Sequence, residues 1–148
     1  MKNILLALLT FTTLVSCEYH NTADCHQIIT VVNNTDRHLY VSGSYDYPDT
    51  LAFKYSPNPK LDYAHNKVGA MGKNKVAFAD RSCWEAKIAK RAASGVVMFY
   101  VFDGETLEKT PWDTIKKNNM YLYRYDLRLE DMEERGWQIV YDGEQKNN

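Results

Sequence analysis

Apolar and polar positions along this chain predict a strand-rich domain behind a short apolar leader. Ile4 to Val15 is apolar except at Thr10, Thr12 and Thr13, too short a run to cross a ~30 Å hydrocarbon layer as a helix. Ile28 to Val32 is a β-branched run, Asn33 to Asp36 a turn cluster, and His38 to Val41 strand-like again, which predicts a hairpin. From Ser42 to Lys75 the period is broken by Gly43, Pro48, Pro57, Pro59, Gly69 and Gly72, so a long irregular connection with one edge strand is expected. Val76 to Phe78 then reads as a short strand. Ser82-Cys83-Trp84-Glu85 has the form of a capping box opening a helix through Ala92, with Gly95 just beyond.

Val96 to Phe102 is apolar at every position, the pattern of a central strand covered on both faces, and Asp103-Gly104 ends it. Thr110-Pro111-Trp112-Asp113 predicts an N-cap, a proline at the first helical position and an acid near the positive helix end, with a helix to Asn118. Met120 to Leu127 alternates, placing Tyr121, Tyr123, Tyr125 and Leu127 on one face and Arg124 and Asp126 on the other. Leu129 to Arg135 reads as an acidic helix stopped by Gly136, and Trp137 to Tyr141 as the last strand. The expected fold class is α+β, a mainly antiparallel sheet or small sandwich with two or three short helices between the later strands.

Lys2 before the apolar run, and Leu14-Val15-Ser16-Cys17 at its end, change the picture from fold to location. This ending resembles the bacterial lipobox, which implies cleavage after Ser16 and acylation of Cys17, several acyl chains holding membrane firmly. The expected organisation is a signal peptide at 1–16, a lipidated tether at 17–24, one domain at 25–142 and a polar tail at 143–148. Localisation would be the bacterial cell envelope, with the outer membrane favoured. With Cys17 taken by lipid, Cys25 and Cys83 remain as a pair in an oxidising compartment, which points to a disulfide over free thiols or a metal site.

Removing residues 1–16 leaves 132 residues, enough for a core, and removing Lys2 from 18 basic against 19 acidic residues leaves 17 against 19, a formal charge of −2. No basic stripe interleaved with aromatics points to nucleic acid. Eleven tyrosines favour a folded, strand-rich chain over a disordered one.

The C-terminal half carries Phe99-Tyr100-Val101-Phe102-Asp103, Thr106-Leu107-Glu108, Trp112, Arg124-Tyr125-Asp126-Leu127, Leu129-Glu130-Asp131-Met132-Glu133, Trp137 and Ile139. These residues resemble a family of small lipoproteins from gut Bacteroidetes. The resemblance covers the last fifty residues and, more weakly, the expected hairpin. It implies location and fold and transfers no catalytic residue. Family members usually carry Thr at the position of Arg128, so the cap of the last helix departs from the pattern.

Candidate chemistry is sparse. His20, His26, His38 and His65 lack metal-ligand spacing and read as solvated or edge residues. Val41-Ser42-Gly43 and Ala93-Ser94-Gly95 lack a nucleophile elbow, Gly69-Ala70-Met71-Gly72 lacks a P-loop lysine, and Asp46, Asp49 and Asp62 sit in a proline-broken loop that sets no carboxylate separation. No catalytic residue, metal or cofactor is expected. Tyr45, Tyr47, Phe53, Tyr55 and Tyr63, interleaved with polar groups, form a candidate binding loop for a sugar ring or a protein partner. A structural role, pinning the loop to the sheet, is favoured over binding. Asp49-Thr50-Leu51 and Asp113-Thr114-Ile115 resemble the Bacteroidetes O-glycosylation acceptor, with Thr50 the better candidate and Thr114 expected inside a helix. The functional expectation is a non-catalytic, lipid-anchored envelope protein for protein interaction or assembly. The alternatives are a surface glycan binder and, less favoured, a hydrolase.

Overall fold

The computed structural model describes residues 19–48 and 64–143. Seven strands are present there: β1 (Ile28–Asn33), β2 (Leu39–Ser44), β3 (Lys67–Val68), β4 (Lys73–Ala79), β5 (Val97–Asp103), β6 (Tyr123–Leu127) and β7 (Gln138–Tyr141). Four short helices are interleaved with them: α1 (Trp84–Arg91), α2 (Gly104–Lys109), α3 (Trp112–Lys117) and α4 (Leu129–Glu134). The strands build two sheets, ordered β4-β1-β7 and β3-β2-β5-β6. Every pairing is antiparallel except that of β1 with β7. The architecture is an α+β sandwich.

β5 shows why its apolar run is continuous. Val97, Phe99 and Val101 face the space between the sheets, among Ile29, Val31, Leu39, Val41 and Ile139. Met98, Tyr100 and Phe102 point the other way, beneath Leu107 of α2 and Ile115 of α3. Both faces of this strand are therefore shielded, and each large side chain so buried contributes roughly 1.5–3 kcal/mol. Trp84 and Ile88 of α1 and Met132 of α4 join the inter-sheet cluster, so these two helices close the sandwich where the chain passes between sheets.

The expected hairpin of residues 28–41 does not form: β1 pairs with β4 and β7, β2 with β3 and β5. Asn33 supplies the reason. Its fully buried side chain donates to the carbonyls of Arg37 (2.7 Å) and Gly69 (2.8 Å) and accepts from Thr35 N–H and Oγ1. The connection is thus an arch, and the apolar faces of β1 and β2 meet across the core instead of lying edge to edge.

Several local expectations shift in the same way. Ser82 does not cap α1; its amide and hydroxyl donate to Asp80, Cys83 takes the N-cap position, and Glu85 binds the His26 ring and N–H. β5 ends at Asp103 as expected, and the same pair also starts a helix, for the Asp103 carboxylate accepts from Thr106 N–H and opens α2. Thr110 then ends α2, and Pro111 becomes the N-cap of α3. Tyr121 precedes β6 and packs on Tyr100 in the outer cluster, on the sheet face opposite Tyr123 and Tyr125. At α4, Asp131 accepts from the Arg128 N–H (2.8 Å), so the helix start is held by the carboxylate although residue 128 is not Thr. The same helix ends in a Schellman motif, with Gly136 N–H donating to Glu133 and Trp137 N–H to Met132.

Candidate functional site

Three places in the fold concentrate polar chemistry or exposed aromatics. The first is the N-terminal end. Cys17 and Glu18 lie outside the described residues, and from His20 on the chain is bonded back onto residues 25–28, ahead of the expected boundary at Cys25. Asn21 bridges His26, its side-chain carbonyl accepts from Gln27 N–H and Ile28 N–H at 2.9 Å, and its amide donates to the Ile28 carbonyl. Asn is suited to this because one side chain offers an acceptor and two donors to exposed backbone. Next to this turn Cys25 and Cys83 are joined, their Cα atoms 4.9 Å apart. His26 stacks on Trp137 at 4.1 Å and donates from Nδ1 to Glu85 Oε1 at 2.5 Å. Burial opposes ionisation of Glu85, yet the His26 side chain and nearby amides outweigh it and lower its pKa.

The second is a groove of about 280 Å³ where β2 leaves its sheet, walled by Tyr45, Trp84, Ser42, His65, Asn66 and Lys87. Of the five aromatics of the candidate binding loop, the described residues include two. Tyr45 packs against the inter-sheet core and lies 6.5 Å from Trp84, the pinning role that the sequence favoured, while Tyr47 is exposed. Burial pushes the Tyr45 hydroxyl up to about 12, against the nearby Arg91 guanidinium. Phe53, Tyr55, Tyr63 and Thr50 lie outside the described residues. Thr114 is exposed on α3, inside the helix. Beside the groove Asp80 pairs with Lys87; burial raises the carboxyl, but Lys87 and Ser82 more than offset it and hold it at about 2.

The third is at the opposite end of β1, a shallow polar cleft of about 600 Å³ lined by Asp36, Arg37, His38, Ala70, Asp103 and Glu105. Behind it, Oε1 of Glu108 accepts from Tyr40 hydroxyl (2.9 Å), His38 Nε2 (3.0 Å) and Lys67 Nζ (3.1 Å). The Tyr40 bond leads the causes that lower the Glu108 pKa, with Lys67 and His38 adding to it against burial. One carboxylate thereby ties α2 to β2 and β3, an ion-pair hub that the sequence did not reveal because its members are spread from residue 38 to 108. His38 and His26, read as solvated or edge residues, are each engaged by a carboxylate.

Among the described residues, no group of three or more His, Cys, Asp or Glu side chains could hold a metal ion, and no helix is long and apolar enough to cross a membrane. Of the acids singled out in the sequence, Asp46 accepts from the Ser44 hydroxyl and its N–H donates to Ser44 Oγ in a turn, and Asp49 and Asp62 lie outside the described residues. Asp80 and Glu85 are engaged by Lys87 and His26, and Lys90 and Arg91 are exposed at the end of α1, Arg91 over the Tyr45 ring. No protein-family model, curated protein or solved structure matches the chain.

Proposed function

We propose that this is a non-catalytic lipoprotein of the bacterial cell envelope, held through acylated Cys17 and acting as a protein-interaction or assembly module. The observation that carries the reading is the placement of Cys17: it ends an apolar leader and precedes by three residues His20, whose N–H is already bonded to the domain. At no more than ~3.6 Å per residue, that leash is about 11 Å long. A disulfide-stapled domain on so short a leash fits an exported protein working at a membrane surface. The resemblance of the C-terminal half to small Bacteroidetes lipoproteins supports the same location, the outer membrane being the favoured one.

Intact mass of the membrane-extracted protein tests the anchor: residues 1–16 should be absent and Cys17 should carry acyl mass. A Cys17→Ala protein that is still cleaved after Ser16 and still sediments with membrane would overturn it. The glycan reading rests on one observation, the groove beside Tyr45 with Tyr47 exposed nearby, an aromatic and polar wall of a size for one sugar ring. Retention on a polysaccharide affinity gel that is lost in Tyr47→Ala would favour it over the protein partner.

A further inference from the structure

One edge of the sandwich is open. β6 ends the β3-β2-β5-β6 sheet, and among the described residues no strand lies on its other side. The remaining edges are short, broken or covered. β3 has two residues, β4 is bulged and its Asn74 amide donates to the His65 and Lys67 carbonyls, and the Val140 carbonyl of β7 accepts from the Tyr125 hydroxyl.

The ladder fixes which backbone groups of β6 point outward. Gly104 N–H donates to the His38 carbonyl, so the even residues of β5 exchange hydrogen bonds with β2, and its odd residues Val97, Phe99 and Val101 exchange them with β6. Their partners are Leu127, Tyr125 and Tyr123. The N–H and C=O groups of Arg124 and Asp126 therefore face away from the sheet, a row of donors and acceptors that the sheet itself does not use. On the outer sheet face the two side chains stand beside Tyr100 and Met98, their register partners, and pair with each other at 2.7 Å.

We propose that β6 pairs antiparallel with β6 of a second copy about a two-fold axis through Tyr125. The inference deepens the assembly reading above and rests on it, naming the partner as this same chain. Charge on an edge strand commonly blocks pairing, but the order of charges here favours it. An axis at Tyr125 sets Arg124 opposite Asp126 of the second copy, and Asp126 opposite Arg124 of the second copy. Opposite charges in directly facing positions attract, and these same residues supply the outward backbone groups, so each facing pair also exchanges both of its main-chain hydrogen bonds. Tyr125 meets its own equivalent at the position without hydrogen bonds, where Cα atoms approach to about 4.5 Å, and Tyr123 meets Leu127 of the second copy. Centring the pairing on Arg124 or on Asp126 would use the same backbone groups but put like charge against like. The charge order thus selects one register, and the contact closes on itself as a two-fold dimer.

The test uses the full chain, processed in a lipoprotein-competent bacterium and held in excess detergent. Sedimentation should show the native chain associating to twice its mass as its concentration rises. Arg124→Glu and Asp126→Lys each leave the edge with one sign of charge, so either variant alone should lose at least about tenfold in association constant. Mixed, the two complement each other, and a tagged copy of one should retain the other as a heterodimer. A defect confined to the pair within one chain would not be rescued by mixing. Where a variant does not fold, amide exchange in the native protein decides: the N–H groups of Arg124 and Asp126 should exchange at least about threefold more slowly in concentrated than in dilute samples. A native chain still monomeric at about 1 mM, single variants that associate as tightly as the native chain, a mixture of folded variants that stays monomeric, or exchange independent of concentration would each overturn the pairing. The Cys17 peptide is weighed in the same samples. Monomers with acylated Cys17 overturn the pairing and leave the anchor; dimers without acyl mass overturn the anchor and support the pairing.

Discussion

Gly104 illustrates how single residues hold the outer layer. A Cβ there would lie 2.1 Å from the His38 ring and 2.6 Å from the His38 carbonyl, to which Gly104 N–H donates at 3.0 Å. The ring could swing aside, but the backbone carbonyl could move only by shifting β2. Overpacking of this kind costs about 1–3 kcal/mol, while alanine at a first helical position recovers at most about 1. Gly104→Ala should therefore lower stability by about 1–2 kcal/mol in urea denaturation. Gly69→Ala, where a Cβ meets nothing within 4 Å, should be close to neutral. Equal stability of the two variants would mean that His38 does not hold its place against α2. Asn33 acts at the same scale, its four hydrogen bonds making the arch between sheets possible.

Among the secondary-structure elements, the N-terminal turn, β1 and α1 are joined by both covalent and polar links. The disulfide closes a loop across 58 positions, which on the chain-entropy model restricts the unfolded state by about 4 kcal/mol. Trp84 Nε1 donates to the Phe78 carbonyl (2.9 Å), and His26 holds Glu85, so the native neighbourhood has supports besides sulfur. A Cys25→Ser/Cys83→Ser protein should thus keep its native far-UV spectrum at low temperature and melt well below the parent, by ten degrees or more for a domain of this size. Unchanged melting would show the bond to be energetically idle. β4 carries a different device. Residues 75–77 bulge opposite Thr30, and Asn74 Oδ1 takes the N–H groups of Val76 and Ala77. The bulge turns Val76 outward and interrupts an edge that could otherwise pair with another chain.

For the molecule as a whole, acid stability follows from its carboxylates. Asp80, held at about 2, and Asp103, Glu85 and Glu108, all lowered, bind protons less readily folded than unfolded. Their stabilisation is therefore fully present above the unfolded values near pH 4 and is lost as pH falls through the folded values. The melting temperature should be level from pH 7 to about 5 and decline steadily toward pH 2. Asp80→Asn should lower the plateau and flatten the decline, because it removes one of the groups that take up a proton on unfolding. A profile of unchanged slope would assign the acid sensitivity to the other three carboxylates.

What the sequence determined by itself was local. The two-sided burial of β5, the alternation of Tyr123, Tyr125 and Leu127, the glycine stop of α4 and the pairing of Cys25 with Cys83 depend on periodicity, on short-range capping or on counting. Which strand lies beside which was decided only in three dimensions. The arch of Asn33 needs the Gly69 carbonyl, 36 positions away, and it converts an apparent hairpin into two facing sheets. Tyr121 changed sides because its strand begins two residues later than its alternation implied. The Glu108 hub was equally hidden, since a side chain's partner is set by where the fold places it. Hydrophobic patterning dictates which residues leave water; the packing of distant segments decides what they, and the charges around them, then meet.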